Sequence, residues 1–155
     1  MASLPEKKVL FVLEDGRMAG PQSYLVELCS KIKKFKPVVI IPKLENQEFK
    51  RRLIVENIVF REININRAHL SFLGIIKYGL TLILDVYKLI ILFKTIDSSL
   101  IYCAGGSWQI KGALASILAG KKFVWQLNDT NMHSLIRYVF KHIATKATGI
   151  VFVSS

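Results

Sequence analysis

Acidic residues are scarce in this 155-residue chain: Asp and Glu total 11 against 22 Lys and Arg, a formal charge of +11. That imbalance suits an acidic partner, whether nucleic acid, an anionic membrane or a phosphorylated substrate. Nucleic acid is the poorest fit, because Lys and Arg are spread along the chain without a recognisable motif or aromatic-interleaved stripe. Cysteine is scarcer still. Cys29 and Cys103 each lie in an apolar segment, which excludes a disulfide framework and reads as structural thiols in a reducing, cytoplasmic compartment. No His/Cys cluster has zinc spacing, so no metal is expected. A G-x-S-x-G nucleophile motif and a Walker lysine after a glycine loop are both missing. The first apolar run is short as well. Residues 9–13 follow a basic start but stop at Glu14 and Asp15, too soon for a secretory segment.

What is present is enough core for one ordinary domain over residues 1–155: 52% of residues are hydrophobic and 21% charged. Short β-rich runs alternate with helical ones. Strands are expected over 8–14, 37–42, 58–63, 99–104, 122–127 and 149–153. Helices are expected over 21–35, 44–56, 69–95, 107–119 and 130–146, with Ser107 and Asp129 as N-caps and Gly120 as a stop. Six β-branched, continuous strands separated by helices predict an α/β, Rossmann-like three-layer domain with a six-stranded parallel sheet. The sixth strand runs into Ser154 and Ser155, and ligands of such sheets bind beyond the strands' carboxyl ends. The chain therefore reads as half of something, cut at a functional edge.

Three turns at that edge carry chemistry. The first holds Gly16 and Gly20 ahead of Pro21, a residue suited to the first helical position. Free N–H groups at that helix start can hold an anion. It is not G-x-G-x-x-G, and Glu14 and Asp15 would repel a pyrophosphate, so a nicotinamide dinucleotide site is disfavoured. A structural turn is the plain alternative. The fourth turn is Gly105-Gly106-Ser107, beside Trp108 and Gln109, which offer a stacking surface and an amide. The fifth, Gln126 to Asn131, is a dense polar cluster that capping alone does not require. Together these turns outline a polar cleft for a ligand rich in hydroxyls.

Two further features concern charge and membranes. His133, Arg137 and Lys141 share one helix face, readable as a solvated basic face or as an anion-facing stripe. The apolar stretch 71–93 places Lys77, Thr81, Asp85 and Lys88 within roughly an 80° stripe. Asp85 and Lys88 argue against a bilayer span. The stretch reads either as a helix buried on most sides or as one whose apolar face dips into a membrane surface. In the second reading Arg67, Lys94 and the Lys50-Arg51-Arg52 run would hold anionic lipid.

The first strand with its glycine loop, followed by Pro21-Gln22-Ser23-Tyr24-Leu25-Val26-Glu27-Leu28, resembles the opening of family 4 glycosyltransferases. Residues 118–130 resemble that family's fifth strand and turn, and residues 149–155 its sixth strand, which commonly ends in serine. The resemblance covers nearly this whole chain but only the amino-terminal half of the family, whose GT-B fold sets two Rossmann-like domains across a cleft. It implies a hexosyltransferase-type enzyme of which this half binds a glycan or lipid-linked acceptor. A nucleotide-sugar donor would be held mainly by a carboxy-terminal domain or subunit, with no other cofactor. It further implies that Gly16 and Gly20 form the loop approaching the donor phosphates, and that Asn128 and Asp129 line the reaction centre as the catalytic pair. Gly105, Gly106, Trp108, Gln126, Thr130 and His133 would face the acceptor. Arg67, Arg137, Lys141 and the 50–52 run would meet membrane or anion. The family commonly has a histidine where Asn128 stands. Asparagine binds a hydroxyl but cannot relay a proton, which leaves Asp129 as the nearby base. The family's E-x7-E donor motif is absent, so residues 1–155 alone should not catalyse transfer. A basic, apolar-helix protein of this kind fits peripheral work at the cytoplasmic membrane face. The competing reading is a freestanding flavodoxin-like domain that binds a ligand or partner without catalysis.

Overall fold

A computed structural model describes residues 7–67, 72–128 and 134–153. The order along the chain is β1 (Lys8–Val12), α1 (Gly20–Lys31), β2 (Lys36–Pro42), α2 (Gln47–Val55), β3 (Val59–Ile63), α3 (Phe72–Thr95), β4 (Leu100–Cys103), α4 (Ile110–Leu118), β5 (Phe123–Leu127), α5 (Ser134–Ala144) and β6 (Gly149–Phe152). The strands form one sheet in the order β3-β2-β1-β4-β5-β6, and every pairing is parallel. This is the expected Rossmann-like α/β domain.

Alternation along the central strands divides the core in two. Val9, Phe11, Leu13, Val39 and Ile41 face α1 and α2, where Leu25, Val26, Cys29, Phe49 and Leu53 pack. Leu10, Val12, Ile40, Ile101, Cys103 and Trp125 face α3, α4 and α5, meeting Leu89, Phe93, Ala113 and Ile143. Both cysteines are free and buried, and burial pushes the Cys29 thiol up to about 12, so neither is a ready nucleophile.

Three local expectations change. The α1 helix stops at Lys31, with Ile32 already extended at ψ 119°, because the chain must turn to enter β2. The α2 helix starts only at Gln47, after a loop in which Glu45 takes a positive φ of 55°. Ser107 does not cap α4: the N-cap position is Gln109, without a side-chain hydrogen bond.

The helix α3 is not buried on most sides, and its contact with the domain combines the apolar Val86, Leu89 and Phe93 with a charged residue. Ile76, Leu80, Ile83, Leu84, Tyr87 and Ile91 are exposed, whereas Asp85 is buried. The inward charge has a partner. Lys111, fully buried in α4, places Nζ 2.8 Å from Asp85 Oδ2 and also donates to the Asn66 carbonyl. Lys88 lies 3.2 Å from Asp85 Oδ1, and the Asn66 N–H donates to Oδ2 at 3.0 Å. Burial alone would raise the Asp85 carboxyl, but these donors and the Lys111 charge hold it below its ordinary value. Removing one member of such a pair strands a buried charge. Lys111→Met is therefore expected to cost about 3 kcal/mol or more in urea unfolding. The double variant Lys111→Met/Asp85→Leu should recover most of that loss; no recovery would contradict the pairing.

Candidate functional site at the carboxyl edge of the sheet

Strand order reverses between β1 and β4, and the crevice beyond that switch point is where an open α/β sheet receives ligands. Two helices, α1 and α4, start there. Their amino termini are in different states.

The α4 terminus is filled from within. Glu14, directly after β1 and buried, accepts the Lys111 N–H at 2.7 Å through Oε1 and the Tyr78 hydroxyl at 2.8 Å through Oε2. A carboxylate supplied from far along the chain thus does the work of an N-cap. Burial pushes the Glu14 carboxyl up to about 7, while the Lys111 charge and the hydrogen bonds from Tyr78, Lys111 and Gly112 oppose it only in part. Burial, then the nearby Glu14 charge, also raises the Tyr78 hydroxyl above its ordinary range. The Lys111 ammonium sits 4.1 Å from the Tyr78 ring centroid.

The α1 terminus is open. Its N-cap, Ala19, offers no side-chain hydrogen bond, and Pro21 occupies the first turn. A cavity of about 220 Å³ lies against it, lined by Gly20, Pro21, Tyr24, Gln126, Asn128 and Val153. Gln126 is fully buried; its Nε2 donates to Asn128 Oδ1 at 2.7 Å, while its Oε1 has no partner among the described residues. An unmet acceptor beside free helix N–H groups fits a ligand carrying both hydroxyls and an anionic group.

Gly16 and Gly20 separate. A Cβ at Gly16 would come within 2.8 Å of the Leu44 carbonyl oxygen, whereas one at Gly20 would meet nothing within 4 Å. Gly16 is therefore needed for packing, and it lines a second cavity of about 170 Å³ with Glu14, Leu44, Glu45, Arg67 and Lys77. There Arg67 pairs with Glu45 at 2.9 Å and lies 3.9 Å from Asp15. Asp15 is itself held by Arg17 at 2.5 Å.

The fourth turn is built into the fold. Gly105 and Gly106 take φ of 117° and 95°, values that favour glycine. The Gly106 carbonyl accepts the Trp125 indole N–H at 2.9 Å, and its N–H donates to the Gln126 carbonyl at 3.2 Å. Trp108 packs against the core. Lys50 pairs with Glu62 at 2.9 Å, and Arg51 and Arg52 are exposed on α2, on the sheet face opposite α3. Arg137 and Lys141 are exposed on α5. Asp129, Thr130 and His133 lie outside the described residues. Sequence reasoning missed Lys111, Tyr78 and the cap made by Glu14. The available signal was the one charged residue of α4, a lysine, and the one carboxylate of α3.

No family model and no curated protein matches the sequence. Solved structures do match. Anabaena Alr3699/HepE, in complex with UDP and glucose, aligns at 18% identity and a TM-score of 0.65, over 94% of this chain and 38% of that one. Acinetobacter baumannii MurG aligns at 11% identity and a TM-score of 0.69, over 97% of this chain and 42% of that one. A UDP-N-acetylglucosamine 2-epimerase aligns at 16% identity and a TM-score of 0.61, over 94% and 41%. The fold is one half of a GT-B architecture. At these identities the likeness speaks to the fold alone, and the chain spans about two fifths of the length of the structures it matches.

A carboxyl raised on folding binds its proton more tightly in the native state. Its contribution to stability is complete below the unfolded value of 4.5 and is lost as pH rises through about 7. That shift corresponds to about 3 kcal/mol. Glu14→Gln mimics the protonated acid, with Nε2 toward Tyr78 and Oε1 toward the Lys111 N–H. Wild-type stability should fall by about 3 kcal/mol relative to Glu14→Gln across that window. Parallel pH profiles of urea unfolding would contradict this.

Proposed function

We propose that this chain is the acceptor-binding half of a family 4-type glycosyltransferase. It acts with a donor-binding domain or subunit that holds a nucleotide sugar, and without that partner it does not transfer. The observation that carries the reading is the open α1 terminus beside the buried Gln126 Oε1, which has no partner among the described residues, and its neighbour Asn128. Helix N–H groups there would meet the donor phosphates arriving from across the cleft, and Gln126 would accept a sugar hydroxyl. Asn128 can orient a hydroxyl but not take its proton, so Asp129, the adjacent carboxylate in sequence, is assigned as base.

The acceptor is a glycan or a lipid-linked sugar, and the protein works peripherally at the cytoplasmic membrane face. The exposed apolar stripe of α3 supports that location, with Lys77, Lys88 and Lys94 exposed on the same helix. Among the described residues no helix is long and apolar enough to cross a membrane.

The test is sugar transfer by the protein paired with its donor-binding half, fused or added in trans. Asn128→Ala and Asp129→Ala should each lower kcat by about a hundredfold or more, with unchanged far-UV circular dichroism. Wild-type turnover in both variants would overturn the site assignment. A flavin retained by the chain alone would favour a non-catalytic binding domain.

A further inference from the structure

The +11 charge of the chain is unevenly placed in the fold. Parallel pairing sets every strand start at one end of the sheet, the end opposite the α1 cleft, and lysines from distant segments collect there. Register puts four of them in one row. Lys36 of β2 is the direct partner of Lys8 of β1, and the Lys36 N–H donates to the Lys7 carbonyl at 3.0 Å. On the other side of β1, the Ser99 N–H donates to the Lys8 carbonyl at 2.9 Å. The pairing of Ile101 with Phe123, and of Val124 with Gly149, sets Lys121 and Lys146 level with Ser99. Lys121 Nζ lies 3.4 Å from the Ser98 carbonyl. Lys36 and Lys146 are exposed, Lys8 and Lys121 half-buried. With neighbouring strands about 4.8 Å apart, the row from Lys36 to Lys146 spans about 19 Å.

Little offsets this charge. Among the described residues, the carboxylates toward this end are Glu27, paired with Lys31 at 2.5 Å, Glu56, 4.0 Å from Arg52, and the exposed Asp97 between α3 and β4. Glu14, Asp15 and Glu45 lie at the other end. Helix carboxyl ends also point this way and favour cations, which accounts for Lys31 and Lys94 in the last turns of α1 and α3. It does not account for lysines at strand starts. Like charges on directly paired strand positions repel, so Lys8 beside Lys36 is a cost that a bound anion would relieve.

The row suits an extended acidic peptide. One side of such a strand presents a carboxylate about every 6.8 Å, and about six residues match the length of the row. Phe35, 39% exposed between Lys34 and Lys36, adds an apolar contact. Nucleic-acid grooves are built on aromatic platforms and arginine forks, whereas this row is lysine throughout. A bilayer needs a broad apolar face, which this molecule carries on α3 instead.

We infer that the lysine row at the strand starts is a docking surface for an extended acidic segment of a partner protein, one that leaves the α1 cleft uncovered. The inference is independent of the transferase reading.

The probe is an acetylated octa-glutamate peptide titrated into the isotope-labelled chain and followed by amide NMR. The Lys8, Lys36, Lys121 and Lys146 amides should shift, with Gly20 and Gln22 unmoved. Lys8→Gln/Lys36→Gln/Lys121→Gln should weaken binding about tenfold or more. Lys43→Gln/Arg51→Gln/Lys141→Gln removes the same charge from other exposed positions and should weaken it less than about twofold. Urea unfolding of both variants checks that the fold is kept. Equal weakening by the two variants would show that net charge alone attracts the peptide, and overturns the inference. Shifts centred on Gly20 and Gln22 overturn it as well. An oligo-uridylate of equal charge, or phosphatidylglycerol vesicles, binding through the row more tightly than the peptide overturns the protein-partner assignment.

Discussion

The contact between the Glu14 carboxylate and the first turn of α4 is the one on which the carboxyl edge depends. Parallel α/β sheets place helix amino termini at the switch point, each an attractive position for an anion. Here one of the two is occupied by the protein's own carboxylate, buried and tied also to Tyr78. The first turn of α4 is hydrogen-bonded from inside, and the glycine turn ahead of it is fixed to Trp125 and the β5 backbone. The α1 terminus is left as the helix end at this switch point without a side-chain cap, facing Gln126 and Asn128. The asymmetry between two otherwise equivalent helix ends selects the candidate site.

A second constraint acts through α3. Its inward side carries Asp85, matched by Lys111, so the helix docks through an ion pair as well as through Val86, Leu89 and Phe93. The inward side thus combines apolar contacts with an ion pair, and further apolar residues cover much of the outward side, which is polar on an ordinary surface helix. An exposed row of Leu, Ile and Tyr is costly for a protein surrounded only by water and marks an interaction face. The polarity of α3 and the cap of α4 are linked, because Lys111 contributes its backbone to Glu14 and its ammonium to Asp85.

The layered fold was legible because each strand is a short, continuous apolar run, and two-sided burial leaves that pattern directly in the sequence. Glycine loops and polar turns likewise marked the carboxyl edge, and Gln126 and Asn128 meet there with Gly20. What could not be read was pairing across long sequence separation. Glu14 looked like a residue that would repel phosphate, although it is a cap for a helix 97 positions later. Asp85 looked like one member of a polar stripe with Lys77, Thr81 and Lys88, and nothing in the sequence tied it to its partner in α4. Gly16 and Gly20 share a turn, yet Gly16 serves packing against Leu44 and lines a different cavity. Helical periodicity assigns residues to a face; it does not say which face the neighbouring helix will cover.

The most direct test of this account is amide NMR of the chain titrated with inorganic pyrophosphate, a small anion free to choose either helix end. Shifts at the Gly20 and Gln22 amides and the Gln126 side chain, with Lys111 and Gly112 unmoved, are the predicted result. Shifts at Lys111 and Gly112 with α1 silent would show that Glu14 does not close α4, and would contradict the assignment of the site.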